Sequence, residues 1–159
     1  TYGSGGSRKI PKDFPLADAK KQFIEILKGM GPLAAAQSIR VAVEPLRKEE
    51  CNFLNNIREV AEMIRAADHP NVGITADLYH MVLGGDVPAD LDANIDILHH
   101  FHLAEKEKRA LPGVAGDDFR GWFGVLAKHG WKGRVSIEAS GGGDQAALTK
   151  AFAYLRTPW

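Results

Sequence analysis

The sequence predicts an α/β fold in which helices connect the strands of a parallel β-sheet. Four short apolar runs, of the kind found in buried strands, alternate with segments whose apolar residues recur at helical spacing. Each run ends in, or lies beside, a carboxylate or a histidine. The alternation occurs four times after one leading helix, which indicates strands joined by crossover helices.

The composition limits the classes of protein to which this chain can belong. Its 159 residues are enough for a single domain with a hydrophobic core. Twenty basic residues balance twenty acidic residues, so we expect no nucleic-acid partner, because polyanion binding needs a basic excess. We expect no membrane partner, since no apolar run is long enough to span a bilayer. Cys51 is the single cysteine, which excludes an internal disulfide and favours a cytoplasmic protein.

The first residues precede the alternating pattern. Residues 1–7 are rich in glycine and serine, which is typical of a flexible tail or of a loop that leaves a preceding strand. We interpret 1–14 as a loop after a preceding strand, within a single domain that spans 1–159.

The leading helix is predicted from Leu16 to Met30, because its apolar residues fall on one side. Gly31-Pro32 interrupts this pattern, and we expect the helix to resume at 33–37 after a kink.

The remaining elements follow from local patterns. The predicted strands are Ile39–Glu44, Val72–Asp77, Leu98–Leu103 and Arg134–Glu138. Helical stripes of apolar residues start at Ile57, Leu91 and Phe119. Asn56 followed by Glu59 has the spacing of a capping box, and Asp144 is expected to cap the last helix. Residues 84–88 and the glycines at 141–143 indicate loops.

Four residues at the predicted strand ends form a candidate metal site: Glu44, Asp77, His102 and Glu138. Three carboxylates brought together repel one another, and a divalent cation removes that repulsion. Oxygen ligands with one nitrogen favour Mn²⁺, Mg²⁺ or Co²⁺ over a structural zinc. Such a metal can polarise a substrate oxygen, and two carboxylates on opposite sides of one carbon could move a proton between its faces.

Simpler interpretations apply to several of these residues. A single acid at a strand end is most often a helix cap or a solvated loop residue, but four metal-capable strand ends together favour a site. His80 is explained equally well by a structural hydrogen bond and by a substrate contact. His99 and His100 are expected to lie outside the site, since neighbours alternate faces and only His102 lies at the strand end.

Five segments of the chain resemble the sugar phosphate isomerase/epimerase family with the xylose isomerase-like TIM barrel, and most of all its ketose 3-epimerases. They are Glu44-Pro45-Leu46 with Glu50, Asp77-Leu78-Tyr79-His80, His102-Leu103-Ala104, Arg109 with Pro112-Gly113, and Val135-Ser136-Ile137-Glu138. One segment alone is weak evidence, but the ordered set is specific. The chain departs from the family at Arg47-Lys48, where Asn-Arg is common, and at Glu105, where aspartate is common.

The resemblance implies a role for each matching residue. The implied metal ligands are Glu44, Asp77, His102 and Glu138, with Mn²⁺ as the expected metal and Mg²⁺ or Co²⁺ as alternatives. Glu44 and Glu138 would also be the catalytic acid/base pair. Glu50, His80 and Arg109 would hold the carbonyl and hydroxyl oxygens of the substrate. Taken alone, Glu50 would be a helix-entry acid and Arg109 a solvated arginine in a charged run.

The resemblance also implies that the chain is the C-terminal half of a (β/α)8 TIM barrel, with about four βα units after a leading helix. A complete barrel has eight strands and typically about 250 residues. A half barrel leaves two sheet edges and an apolar interior uncovered. We therefore expect that a missing N-terminal half or another chain completes the barrel, and that the protein is a homo-oligomer.

The function implied by the resemblance is a metal-dependent sugar isomerase or epimerase, active when the barrel is complete. It would move a proton at a carbon next to a carbonyl through an enediolate, in a small-molecule ketose or related polyol. Three alternatives remain: a keto-inositol dehydratase-like lyase, a non-catalytic half-barrel subunit and, disfavoured by the zero net charge, an abasic-site endonuclease.

Overall fold

The structure is a computed structural model that describes residues 4–141 and 144–156. Four strands form one sheet in chain order: β1 (Val41–Val43), β2 (Val72–Asp77), β3 (Leu98–Leu103) and β4 (Val135–Ile137). Each neighbouring pair is parallel, which requires a crossover connection between successive strands. The predicted parallel α/β architecture is confirmed.

Helices connect and flank these strands. In chain order they are α1 (Gly5–Arg8), α2 (Leu16–Ala36), α3 (Ile57–Ala67), α4 (Leu78–Gly84), α5 (Pro88–Asp92), α6 (Arg120–Lys128) and α7 (Gln145–Leu155). A 3₁₀ turn, Ile95–Ile97, leads into β3. α1 is a single helical turn inside the segment 1–14, which was predicted as loop. Residues 142 and 143 of the predicted glycine loop lie outside the described residues.

Side-chain caps fix the starts of two helices, as predicted. Asn56 Oδ1 accepts the Glu59 N–H at 2.9 Å, and Asp144 Oδ1 accepts an N–H two residues further on. The Glu59 carboxylate returns to the N–H of Asn55 at 2.7 Å, one residue earlier than in a standard capping box.

β2 and β3 have their predicted limits, whereas β1 and β4 are shorter than predicted. β1 ends at Val43, before Glu44, because Pro45 has no N–H with which to continue the ladder. β4 ends at Ile137, but the Glu138 N–H still donates to Leu103 O at 3.0 Å. Both carboxylates therefore lie one residue beyond an edge strand.

The interruption predicted at Gly31-Pro32 is wrong, since α2 runs unbroken through Pro32. Both Pro32 and Lys28, whose carbonyl loses its usual N–H partner, are exposed, so water can hydrate that carbonyl. The buried stripe of Phe23, Leu27 and Ala34 continues across the proline and packs against the domain. Packing thus outweighs the lost hydrogen bond.

No helix was predicted at α4, which follows β2 directly. Asp77 ends the strand and caps this helix, because its Oδ1 accepts the His80 N–H at 3.1 Å. The first four residues of α4, 78–81, are all buried, so the helix has no polar stripe by which sequence periodicity could reveal it. Gly85, with φ 87°, ends it in the left-handed conformation that glycine tolerates.

The hydrophobic core lies between one face of the sheet and the helices. Leu27, Ile57, Ile74 and Phe101 are completely buried there. Side chains alternate along a strand, so the residues next to Ile74 and Phe101 point to the opposite face. The candidate site residues of β2 and β3 belong to that opposite face.

Candidate active site

The register of the sheet brings the predicted ligands to one edge. Asp77 at the end of β2 is paired with His102 on β3, and Ser136 on β4 is the other partner of His102. Glu44 follows β1 and Glu138 follows β4. Because all four strands are parallel, their carboxyl ends meet at the same edge.

The four side chains form one compact cluster. A single ligand atom from each lies within 4.8 Å of the others. His102 Nδ1 lies 3.0 Å from Glu44 Oε1, 3.0 Å from Glu138 Oε2 and 3.6 Å from Asp77 Oδ2. The Asp77 side chain is 1% exposed and that of Glu138 is 48% exposed, so the cluster opens on the β4 side.

The pKa values show how strongly these groups act on one another. Burial raises the pKa of Glu138, and its hydrogen bond with Asp77 and the charge of Glu44 raise it further. Burial opposes the charge on His102, but hydrogen bonds to Asp77 and Glu44 outweigh it and raise its pKa to about 9. Burial would also raise the pKa of Asp77, yet its hydrogen bonds with His102 and Glu138 hold it well below its usual range.

These observations fit a divalent cation. Three acidic groups and one imidazole converge at this point. The carboxylates favour the positively charged form of His102, which shows that they favour positive charge at the centre of the cluster. A cation bound there would neutralise the carboxylates, and His102 would have to lose its proton to become a ligand.

Arg109 joins this cluster, although its charged sequence neighbourhood is typical of a solvated arginine. Its Nη2 lies 2.6 Å from Glu138 Oε2 and 3.2 Å from Asp77 Oδ2, and its Nε donates to Glu138 O at 3.0 Å. Its guanidinium also lies 5.0 Å from the centre of the Tyr79 ring. Of the three residues predicted to bind substrate, Arg109 is the one whose side chain forms ion pairs with the ligand cluster.

His80 lies beside the cluster with one ring nitrogen already engaged. The Arg47 N–H donates to His80 Nδ1 at 3.3 Å, so the neutral ring carries its proton on Nε2. Burial lowers the pKa of His80 against the charges of Asp77 and Glu44, which favours this neutral form. The structural hydrogen bond expected for His80 is therefore present, and it leaves Nε2–H as a donor.

Glu50 lies outside the ligand cluster and is held by Arg47, which was not predicted as a site residue. Its Oε1 accepts from Arg47 Nε at 2.7 Å. The Arg47 guanidinium lies 5.1 Å from the Tyr79 ring centre, so Tyr79 contacts both Arg47 and Arg109. The position of Tyr79 between Asp77 and His80 in the sequence was the available signal for it.

His99 and His100 do not belong to the cluster. His99 Nδ1 contacts Val41 O at 3.2 Å, and the His100 ring packs edge-on against His102 with centres 4.8 Å apart. Cys51 is completely buried. Among residues 4–141 and 144–156, no helix is both long enough and apolar enough to cross a membrane.

Known proteins with similar sequences and structures share this fold. The 3-dehydro-D-guloside 4-epimerase of Escherichia coli K12 is 29% identical over 141 residues, which are 87% of this chain and 53% of that enzyme. The ketose 3-epimerase of Arthrobacter globiformis is 29% identical over 107 residues, 67% of this chain and 37% of that enzyme. The apo crystal structure of 3-keto-D-glucoside 4-epimerase from E. coli has 28% identity and a TM-score of 0.84, and the match covers 93% of this chain and 57% of that one.

The chain thus spans about half, or less, of the length of these relatives. The predicted fold class, a partial TIM barrel with four parallel strands, is confirmed. The family model described as xylose isomerase-like TIM barrel matches residues 2–157. The chain therefore belongs to the xylose isomerase-like TIM barrel family.

Proposed function

We propose that this chain provides the metal-binding half of a sugar isomerase or epimerase that acts on a ketose or related polyol. The observation that carries this proposal is the cluster of Glu44, Asp77, His102 and Glu138 within 4.8 Å at one edge of the sheet. Relatives that are sugar epimerases support the reaction class.

The roles of the residues follow from their positions. A bound Mn²⁺, or alternatively Mg²⁺ or Co²⁺, would polarise the substrate carbonyl and so acidify the neighbouring C–H bond. Glu44 and Glu138 come from the two outer strands, β1 and β4, and serve as the acid/base pair that removes and returns the proton through an enediolate. Arg109, the Nε2–H of His80 and Glu50 hold the substrate oxygens.

Deuterium exchange tests the reaction. The full chain is incubated with Mn²⁺ and a panel of ketohexoses in D₂O, and NMR follows deuterium at the carbon next to the carbonyl. We expect exchange in the assembled, metal-loaded protein and a loss of at least about 100-fold in Glu138→Gln, which retains an oxygen ligand but no base. An absence of exchange in that assembled protein contradicts the proposal.

Activity is proposed to require the rest of the barrel, as an N-terminal half or as another chain. β1 and β4 end the sheet, and large apolar side chains are exposed on the helices, including Leu33 on α2 and Phe152 on α7. We expect a homo-oligomer or a complex in solution. Sedimentation tests this, since a stable monomer of 17.3 kDa would contradict it.

A further inference from the structure

The β3–α6 loop, residues 104–119, delivers Arg109 to the candidate site. Lys108 and Arg109 in this loop both have left-handed backbone conformations, with φ of 55° and 54°. Residues with a Cβ adopt this conformation rarely, because the side chain crowds the carbonyl. The loop must therefore be restrained by contacts on either side of these two residues.

Glu105 provides contacts of this kind. Its side chain is completely buried. Its Oε1 accepts the N–H groups of Gly113 at 2.7 Å and Gly116 at 3.3 Å, and its Oε2 accepts the N–H of Ala115. Gly113 and Gly116 have φ of 89° and 83°, a conformation that glycine tolerates and that helps to turn successive amides towards one anion. The far half of the loop therefore wraps around this carboxylate.

The backbone of Glu105 holds the near half of the same loop. Its N–H donates to Ala110 O at 2.9 Å, which closes the turn that contains Arg109. The Ser140 N–H donates to Arg109 O at 2.7 Å and ties that turn to the chain after β4. Glu105 follows His102 by three residues, so it links the whole loop to the strand that carries a candidate ligand.

We propose that Glu105 is a positioning residue that holds the β3–α6 loop so that the Arg109 guanidinium lies between Asp77 and Glu138. It acts through Arg109 and touches neither a metal ligand nor a substrate atom. Only the role of Arg109 in holding the substrate rests on the proposed function. The position of Arg109 itself depends on neither metal nor substrate.

The Arg109 Nε–H signal in ¹⁵N NMR spectra of the full chain reports this placement. In the unaltered protein Arg109 Nε donates this proton to Glu138 O, with 3.0 Å between the nitrogen and the oxygen. We therefore expect the proton to exchange slowly with solvent. Arg109→Lys removes the signal and so assigns it. Glu105→Gln replaces one acceptor oxygen with an NH₂ group that opposes the loop amides, and the Arg109 Nε–H exchange rate should rise about tenfold.

Two further variants complete the experiment. Glu107→Gln changes an exposed acid of the same loop and should leave the Arg109 signal unchanged. Glu105→Asp keeps the charge but shortens the reach, so it should give a smaller rise than Glu105→Gln. If Glu105→Gln does not fold, Glu105→Asp decides the matter by the same signal.

An unchanged Arg109 exchange rate in a folded Glu105 variant overturns the proposal. An equal rise in the exchange of the α3 amides also overturns it, because Glu105 would then support the fold in general. The ketohexose assay is independent of both results. Failure of that assay with an Arg109 signal that responds to Glu105 refutes the proposed function and leaves the positioning role in place.

Discussion

β2 and β4 each lead to a carboxylate of the candidate site, yet the two strands lie in opposite environments. Every residue of β2 is buried, whereas β4 ends the sheet and none of its residues is buried. The Asp77 side chain is accordingly 1% exposed and that of Glu138 is 48% exposed. Asp77 also caps α4, whereas Glu138 caps no helix. We therefore expect the stability of the fold to depend much more on Asp77 than on Glu138.

Asp77→Ala should have the largest effect on stability. It removes the cap of α4 and leaves Arg109 with the half-exposed Glu138 as its only ion-pair partner among the described residues, so we expect a loss of about 3 kcal/mol in the free energy of unfolding. Glu138→Ala should cost less than about 1 kcal/mol, because its ion pair is half exposed. Urea denaturation of both variants measures the difference, and equal losses would refute this contrast.

Mn²⁺ should stabilise the folded protein, and this stabilisation should require both Asp77 and Glu138. At a free Mn²⁺ concentration of about 100 times the dissociation constant, the gain is about 2.7 kcal/mol. We expect a higher melting temperature with Mn²⁺, reversal by EDTA, and no increase in Asp77→Ala or Glu138→Ala. A shift that persists in Glu138→Ala would place the ion elsewhere.

Asp86 extends the comparison to a buried carboxyl that forms no ion pair with any of the described residues. Its Oδ2 accepts the Ile57 N–H at 3.0 Å, and burial raises its pKa to about 6. Since the folded pKa lies above the unfolded value of about 3.9, its contribution to stability is complete below pH 4 and is lost as the pH rises through 6. Asp86→Asn should remove this pH-dependent loss of stability, which is about 3 kcal/mol for a rise of about two in the pKa.

Urea denaturation between pH 4 and 7.5 measures that loss. Glu49→Gln, at an exposed position, serves as the control and should keep the pH dependence of the unaltered protein. The interpretation is wrong if Asp86→Asn and Glu49→Gln have the same profile.

The smallest effects on folding are expected at the exposed apolar residues of α2 and α7. Leu33 is 71% exposed and Phe152 is 51% exposed, so Leu33→Ser and Phe152→Ser should each change the free energy of unfolding by less than about 0.5 kcal/mol. Both should weaken association in sedimentation experiments, because they remove apolar surface that a completing half would cover. Unchanged association in both variants would argue against contacts at these surfaces.

Strand ends were predictable because their signal is local. A run such as Val72–Asp77 changes abruptly from apolar to acidic, and the predicted limits of β2 and β3 agree with the structure. The position of Arg109 was not predictable in the same way, since its charged neighbours are typical of a solvated segment. Its approach to the site depends on a loop whose amides wrap Glu105, and hydrogen bonds between residues 8 to 11 apart have no periodic signature.

The continuity of α2 and the existence of α4 were missed for a related reason. Local rules place a break at Pro32, yet packing of the stripe that contains Leu27 and Ala34 keeps the helix intact. In α4 the first four residues are all buried and the exposed Val82 and Leu83 are apolar, so the helix has no amphipathic pattern. Its cap comes from Asp77, which sequence analysis had assigned to the strand end alone.

The sequence by itself determined the alternation of strands and helices and the four residues at or next to the strand ends, because hydrophobic periodicity and strand-terminating residues act over a few positions. Only the tertiary structure decided how far those four side chains lie from one another, that Arg109 joins them, and that Asp77 is sealed while Glu138 stays open. These properties arise from the order of the strands in the sheet and from which strand lies at its edge, and both are set by contacts between residues far apart in the chain.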